Sequence, residues 1–155
     1  MKILSAFVAL ALLAASAPGH AAEPKRIGEV TSAIRWFSPN DKVVIERFDD
    51  PKVENASCYV SRADTGGWLG AMDLVEDPSR MSIACRATGP LRITGKIEES
   101  RKGEVVFDER ASFLFKEIRV SRFYDGEKKV LVYLVWSTKL IDGSPYNSVT
   151  AIPLQ

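Results

Sequence analysis

Cys58 and Cys85 constrain this chain more than any other pair of residues. They are its only two cysteines, so a single pairing exists, and a bond between them closes a loop of 85 − 58 = 27 residues. Chain entropy values such a closure at about 3.5 kcal/mol. Whether the bond forms depends on the compartment. Lys2 supplies a positive start. Ile3 to Ala17 is apolar apart from Ser5 and Ser16, and Pro18-Gly19 break the run just before the small-residue stretch Gly19-His20-Ala21. That is the pattern of a secretory signal peptide over 1–21, with 22–155 as the mature domain. The apolar run is short for a membrane span, and no cysteine follows the cleavage point to carry a lipid. An exported chain meets an oxidising compartment, and an even cysteine count there implies a bridge. The alternatives are two free thiols or a redox pair, and the latter wants a CxxC-like spacing that is absent.

Export also removes chemistry. His20 is the one histidine and departs with the signal, so Ser-His-Asp, Cys-His and histidine–zinc arrangements cannot be built in the mature chain. Two cysteines are too few for an all-cysteine zinc site. Lys2 departs as well, leaving 21 − 1 = 20 basic residues against 20 acidic ones. A net charge of zero argues against nucleic acid or an anionic membrane as a partner. No cofactor is implied.

The 155 residues suggest one domain. Val43 to Phe48 is a β-branched run that reads as a strand, stopped by Asp49-Asp50-Pro51. Ser57 to Ser61 reads as a second strand. Asp64-Thr65-Gly66-Gly67 reads as a turn that opens a helix, because Trp68, Ala71, Met72 and Val75 fall on one helical face before Asp77-Pro78. Met81 to Thr88 returns to strand. The bridge would then close a strand–helix–strand excursion. Further strands are expected at 104–107, 112–124, 129–137 and 146–152, with a bulge near Lys116-Glu117 and a hairpin turn at Asp125-Gly126. The stretch 129–137 is apolar on both phases and suits a central strand. The fold expected is mainly β (α+β): a single β-rich domain with one short helix inside the disulfide-closed loop.

Candidate chemistry concentrates in residues 47–67. Asp49, Asp50 and Glu54 are near in sequence, as are Asp73, Glu76 and Asp77, but nothing in their spacing selects an acid–base pair. The calcium-loop pattern is missing, so the acids read first as Asx-type turn chemistry. Arg47, Arg62 and Arg86 flank the region and either converge on an anion or pair with the neighbouring acids. Thr65-Gly66-Gly67 offers free N–H groups at a helix start but lacks the lysine of a phosphate loop. Trp36, before the turn Ser38-Pro39-Asn40, is the aromatic most suited to partial exposure. The candidate binding surface is therefore Arg47, Asp49, Asp50, Arg62, Thr65, Gly66 and Gly67, with no catalytic and no metal-ligating residues assigned.

Three long stretches carry a resemblance: FDDPKVENASCYVSRADTGG at 48–67, GEVVFDERASFLFKEIRVSRFYD at 103–125 and GSPYNSVTAIP at 143–153. In this order, behind a signal peptide, the chain resembles the CreA family of small exported bacterial proteins. The resemblance implies a periplasmic protein without an assigned activity. The family takes its name from a locus shared with a carbon-source-responsive two-component system, and an exported protein would reach such regulation only through a membrane sensor or the state of the envelope. The expectation is a non-enzymatic protein that binds a small ligand or an envelope protein. A carboxylate-dependent hydrolase or lyase and an interaction protein signalling to a membrane sensor are the alternatives.

Overall fold

The computed structural model describes residues 24–33, 41–65, 81–110, 117–141 and 144–154, and among them all regular structure is strand. The strands are β1 (Lys25–Ala33), β2 (Asp41–Asp49), β3 (Val53–Thr65), β4 (Met81–Ile93), β5 (Glu104–Arg110), β6 (Glu117–Asp125), β7 (Val130–Ile141) and β8 (Ser144–Pro153). They make two antiparallel four-stranded meanders, β1-β2-β3-β4 and β5-β6-β7-β8. The helix expected over 68–75, the bulge near Lys116 and the aromatic Trp36 lie outside the described residues.

Each sheet turns one face inward by simple alternation. On β2, Val44, Glu46 and Phe48 are buried while Val43 and Ile45 are exposed; on β7, Leu131, Tyr133 and Val135 are fully buried. One apolar cluster takes residues from both sheets, and Phe48 of β2 stacks on Phe107 of β5 with ring centroids 4.6 Å apart. Burial of a Val, Leu or Phe side chain contributes about 1.5–3 kcal/mol each, so this shared cluster is what joins the two meanders into one unit. A bulge on β5 helps. Val105 faces Ser121 and Phe107 faces Val120, which leaves Val106 unmatched, so Val106 and Phe107 both enter the core.

The 129–137 stretch is central, as its composition suggested, with β6 and β8 on either side. Its second face is only half covered. There Trp136 donates Nε1–H to Ser121 Oγ at 3.0 Å and lies under the Arg119 guanidinium, 5.6 Å from the ring centroid. The Asp125-Gly126 hairpin forms as read: Asp125 Oδ1 accepts the N–H groups of Glu127 and Lys128, each at 3.1 Å.

One expectation changes. Asp64 and Thr65, read as a helix-opening turn, continue β3, because β2 extends far enough to pair them with Lys42 and Asp41. An available ladder overrides weak local turn propensity. The bridge does link the two strands expected on either side of that excursion, and whether a helix lies between them falls outside the described residues. β3 and β4 pair directly from Arg62–Met81 to Val53–Ile93, and Cys58 and Cys85 are opposed residues in that ladder. The disulfide itself is present, with both cysteines buried and their Cα atoms 4.0 Å apart.

Candidate functional site

The residues proposed from sequence separate onto different faces. Arg47 and Asp49 point outward on β2 and pair with each other at 3.5 Å, and Ser57 Oγ donates to Asp49 Oδ1 at 2.5 Å. Arg62 lies on the inner face and holds Glu46 through Nε and Nη2 at 3.2 and 3.4 Å. Thr65 ends β3 opposite Asp41, and Gly66 and Gly67 lie outside the described residues. Arg86 bonds the Cys85 carbonyl at 2.9 Å. The three arginines do not converge.

Asp50 is the correction. Expected on a solvated turn, it is buried, with a side chain 0% exposed. Its turn chemistry is present: Oδ1 accepts the Lys52 N–H at 2.8 Å, and the Asp50 N–H donates to the Ala56 carbonyl at 2.9 Å. The same carboxylate reaches into the other sheet. Arg122 Nη1 donates to Oδ1 in a very short contact, and the Tyr133 hydroxyl donates to Oδ2 at 2.9 Å. Arg122 Nη2 donates to Glu104 Oε2 at 2.6 Å, and Lys52 Nζ pairs with Glu104 Oε1 at 2.5 Å.

Register explains the assembly. Glu104 opposes Arg122, Arg122 opposes Tyr133 and Tyr133 opposes Thr150, so the four form one row across β5, β6, β7 and β8. Asp50 docks on the middle of this polar row. At its end, Thr150 Oγ1 accepts the Cys85 N–H of β4 at 3.3 Å. The row therefore clasps the two sheets at two points.

The clasp is pH-dependent at both ends of the scale. Burial pushes the Glu104 carboxyl up, but the Lys52 hydrogen bond and the charges of Arg122 and Lys52 outweigh it, so its pKa lies below the ordinary 4.5. A carboxyl depressed by folding contributes stability that is present above its unfolded pKa and lost as pH falls through the folded one. Burial first, and then the charge and hydrogen bond of Asp50, push the Tyr133 phenol well above its ordinary 10.0. That contribution is present below pH 10 and lost as pH rises past it. Urea midpoints of wild type and Glu104→Gln should thus differ most above pH 4.5 and converge below it. A gap that stays constant down to about pH 2 would remove the linkage.

One strand away lies a cleft of about 510 Å3 between β4 and β8. Leu91 supplies apolar surface beside buried Cys85 and Ile152, while Ala87, Gly89 and Ala151 keep the walls thin. Arg86 is the one charged lining residue described. The wall is an irregularity in β4. Glu54 pairs with Arg92 and Ala56 with Ala87, so 88–91 bulge opposite Asn55 alone. Asn55, at φ 64°, fills the gap: its Nδ2 donates to the Pro90 carbonyl at 2.7 Å and its own carbonyl accepts from Thr88 Oγ1 at 3.3 Å. Asn tolerates this left-handed backbone better than most residues. A Cβ on Gly89 would stand 3.2 Å from the Asn55 side chain, so glycine allows the close approach. A second cleft, of about 620 Å3, is walled by the irregular 96–99 segment with charges of both signs, and is less suited to a fixed ligand.

The family model "CreA protein" matches residues 27–155. The chain belongs to the CreA family. Protein CreA of Escherichia coli K12 is 41% identical over 155 residues, covering 99% of this chain and 97% of the relative. Protein CreA from the O157:H7 and the O6:H1 CFT073 strains matches to the same extent. No solved structure matches. The CreA match spans the strands that carry both the clasp and the cleft, and it attaches no activity to either. Among the described residues no group of three or more His, Cys, Asp or Glu is placed to hold a metal, and no helix is long and apolar enough to cross a membrane.

Of the cleft residues the sequence singled out Cys85 and Arg86 and missed the rest. The available signal was Gly89-Pro90, a pair that interrupts an otherwise regular strand.

Proposed function

We propose that this CreA-family chain is an exported, non-enzymatic binding protein of the bacterial periplasm, and that its ligand occupies the cleft between β4 and β8. The lining carries this reading: apolar Leu91 beside a strand fixed by the disulfide, with Arg86 the one charged residue of the described lining. Sites for small ligands combine such an apolar lining with a few polar groups that orient the guest. The signal-peptide pattern over 1–21 supports export, and the core shared by both sheets supports 22–155 as one domain. The buried carboxylate supports a non-enzymatic role. Both Asp50 oxygens are held by donors, from Arg122 and Lys52 on one side and from Tyr133 on the other, so it is poorly placed to exchange a proton with a substrate. A link to carbon-source regulation would then run from ligand capture to a membrane sensor.

The test is an amide-resonance map of the mature protein titrated with pooled metabolites and short peptides. Shifts should cluster at 85–91 and 151–153. Ala87→Trp, which places bulk in the cleft, should abolish them without unfolding the protein. Shifts confined to Arg47, Asp49 and the rest of the outer face would move the site back to the 47–67 surface.

A further inference from the structure

Both walls of the cleft present main-chain groups that their own ladders do not use. The Cys85 N–H leaves β3 and reaches Thr150 Oγ1. Peptide direction alternates along an antiparallel strand, so Ala87, paired with Ala56, also turns its N–H and C=O away from β3. On β8, the Leu154 N–H donates to the Lys129 carbonyl at 2.8 Å, next to the Val130–Pro153 pair. By the same alternation Pro153 and Ala151 turn their peptide groups away from β7. Pro153 fits there, since a proline without an N–H is tolerated on the free side of an edge strand. Among the described residues no backbone hydrogen bond joins β4 to β8. Two edge strands thus flank the cleft, joined where the Cys85 N–H meets the Thr150 side chain.

Resting on the cleft as the ligand site, we infer that the natural ligand is the extended C-terminal tail of a partner polypeptide. Its main chain pairs with Ala87 and Ala151, an apolar side chain lies on Leu91, and its terminal carboxylate meets Arg86. Three observations select this class. Paired strand edges recognise main chain by adding a strand, whereas a fatty acid of the same charge leaves those N–H and C=O groups unused. Small walls at Ala87, Gly89 and Ala151 let a backbone approach. The described lining holds one cation and no acid, and the guanidinium spends only Nη1 on the Cys85 carbonyl in its described bonds, which leaves donors for a carboxylate.

The test uses the mature, oxidised protein and three probes: a fluorescein-labelled tetrapeptide library of apolar residues with free C-termini, the same library C-terminally amidated, and decanoate. The free-acid library should bind, with amide shifts at Ala87, Gly89 and Ala151. Amidation should weaken binding about tenfold or more. Arg86→Gln should cost a similar factor and abolish the difference between acid and amide. Ala151→Pro, which removes an N–H not used by the β7 ladder, should weaken the peptides and leave the fold intact. Decanoate binding at 85–91 and 151–153 without peptide binding would overturn the peptide inference and keep the cleft. Equal affinity of acid and amide libraries would overturn the carboxylate recognition. No shift at these residues with any probe would overturn the cleft reading itself.

Discussion

Arg122→Met is expected to lower the unfolding free energy by about 3–5 kcal/mol, the usual cost of removing one member of a buried ion pair. Arg122 and Asp50 have side chains that are 0% exposed. Without the guanidinium, the Asp50 carboxylate keeps only the Tyr133 hydroxyl and the Lys52 N–H, too little to offset an uncompensated charge in the core. Glu104 suffers less, because Lys52 still pairs with it. The apolar double replacement Arg122→Met with Asp50→Leu should recover part of the loss, since it leaves the buried Tyr133 hydroxyl and the Lys52 N–H without their acceptor. It removes both desolvation costs, and it also removes Arg122 Nε, a buried donor with no partner among the described residues. Urea unfolding of the two single variants and the double gives the coupling directly. A single-variant loss under about 1 kcal/mol would mean that the cluster is solvated in solution and does not clasp the sheets.

That cluster was only half legible in the sequence. Asp49-Asp50-Pro51 announces a turn, and Asp50 does cap the N–H two residues on. Local chemistry stops there. The partners Arg122 and Tyr133 lie 72 and 83 residues away along the chain, and only sheet register brings them to one row. A slip of a single residue would turn Arg122 outward. One signal was present. Ile118 and Val120 set the inward phase of β6, and Arg122 continues that phase, so a cation sits where an apolar residue was due. An arginine on the apolar phase of a strand asks for a buried acid, and here the acid comes from the other sheet.

The strands divide in the same way. The runs in β2, β5, β7 and β8 were legible because β-branched and aromatic residues dominate them. β1 was not. Gly28 and Glu29 interrupt Ile27 and Val30, and a register shift between Arg26 and Gly28 breaks the alternation that would reveal it. The length of β3 was hidden for a different reason. Asp64 and Thr65 have turn propensity but pair with β2, and nothing local reports that β2 reaches back to Asp41. The cleft depends on one irregularity, 88–91 against Asn55, whose left-handed backbone is invisible in an Asn read alone.

Replacing both cysteines, Cys58→Ala with Cys85→Ala, should cost about 3.5 kcal/mol, within the 2–5 kcal/mol range for small exported domains. The geometry decides how that loss arises. The cysteines are opposed across β3 and β4, and the Cys85 N–H points away from β3, so they occupy a non-hydrogen-bonded pair. Such pairs bring Cα atoms to about 4.5 Å without a bridge, close to the 4.0 Å seen here. The ladder therefore places the two sulfurs together, and the bond chiefly restricts the unfolded chain across a separation of 27 residues. Three results should accompany the loss: an unchanged strand content, a larger denaturant slope as the unfolded state expands, and an oxidised wild type lighter than its reduced form by a pair of hydrogens. β4 should feel the change locally as well. Its outer edge is the cleft wall, and the bridge at Cys85 stands two residues from Ala87, so the bridgeless variant should bind cleft ligands more weakly than its stability alone accounts for. Wild-type affinity in a folded, bridgeless protein would assign the cleft's rigidity to the Thr150 contact and to Asn55.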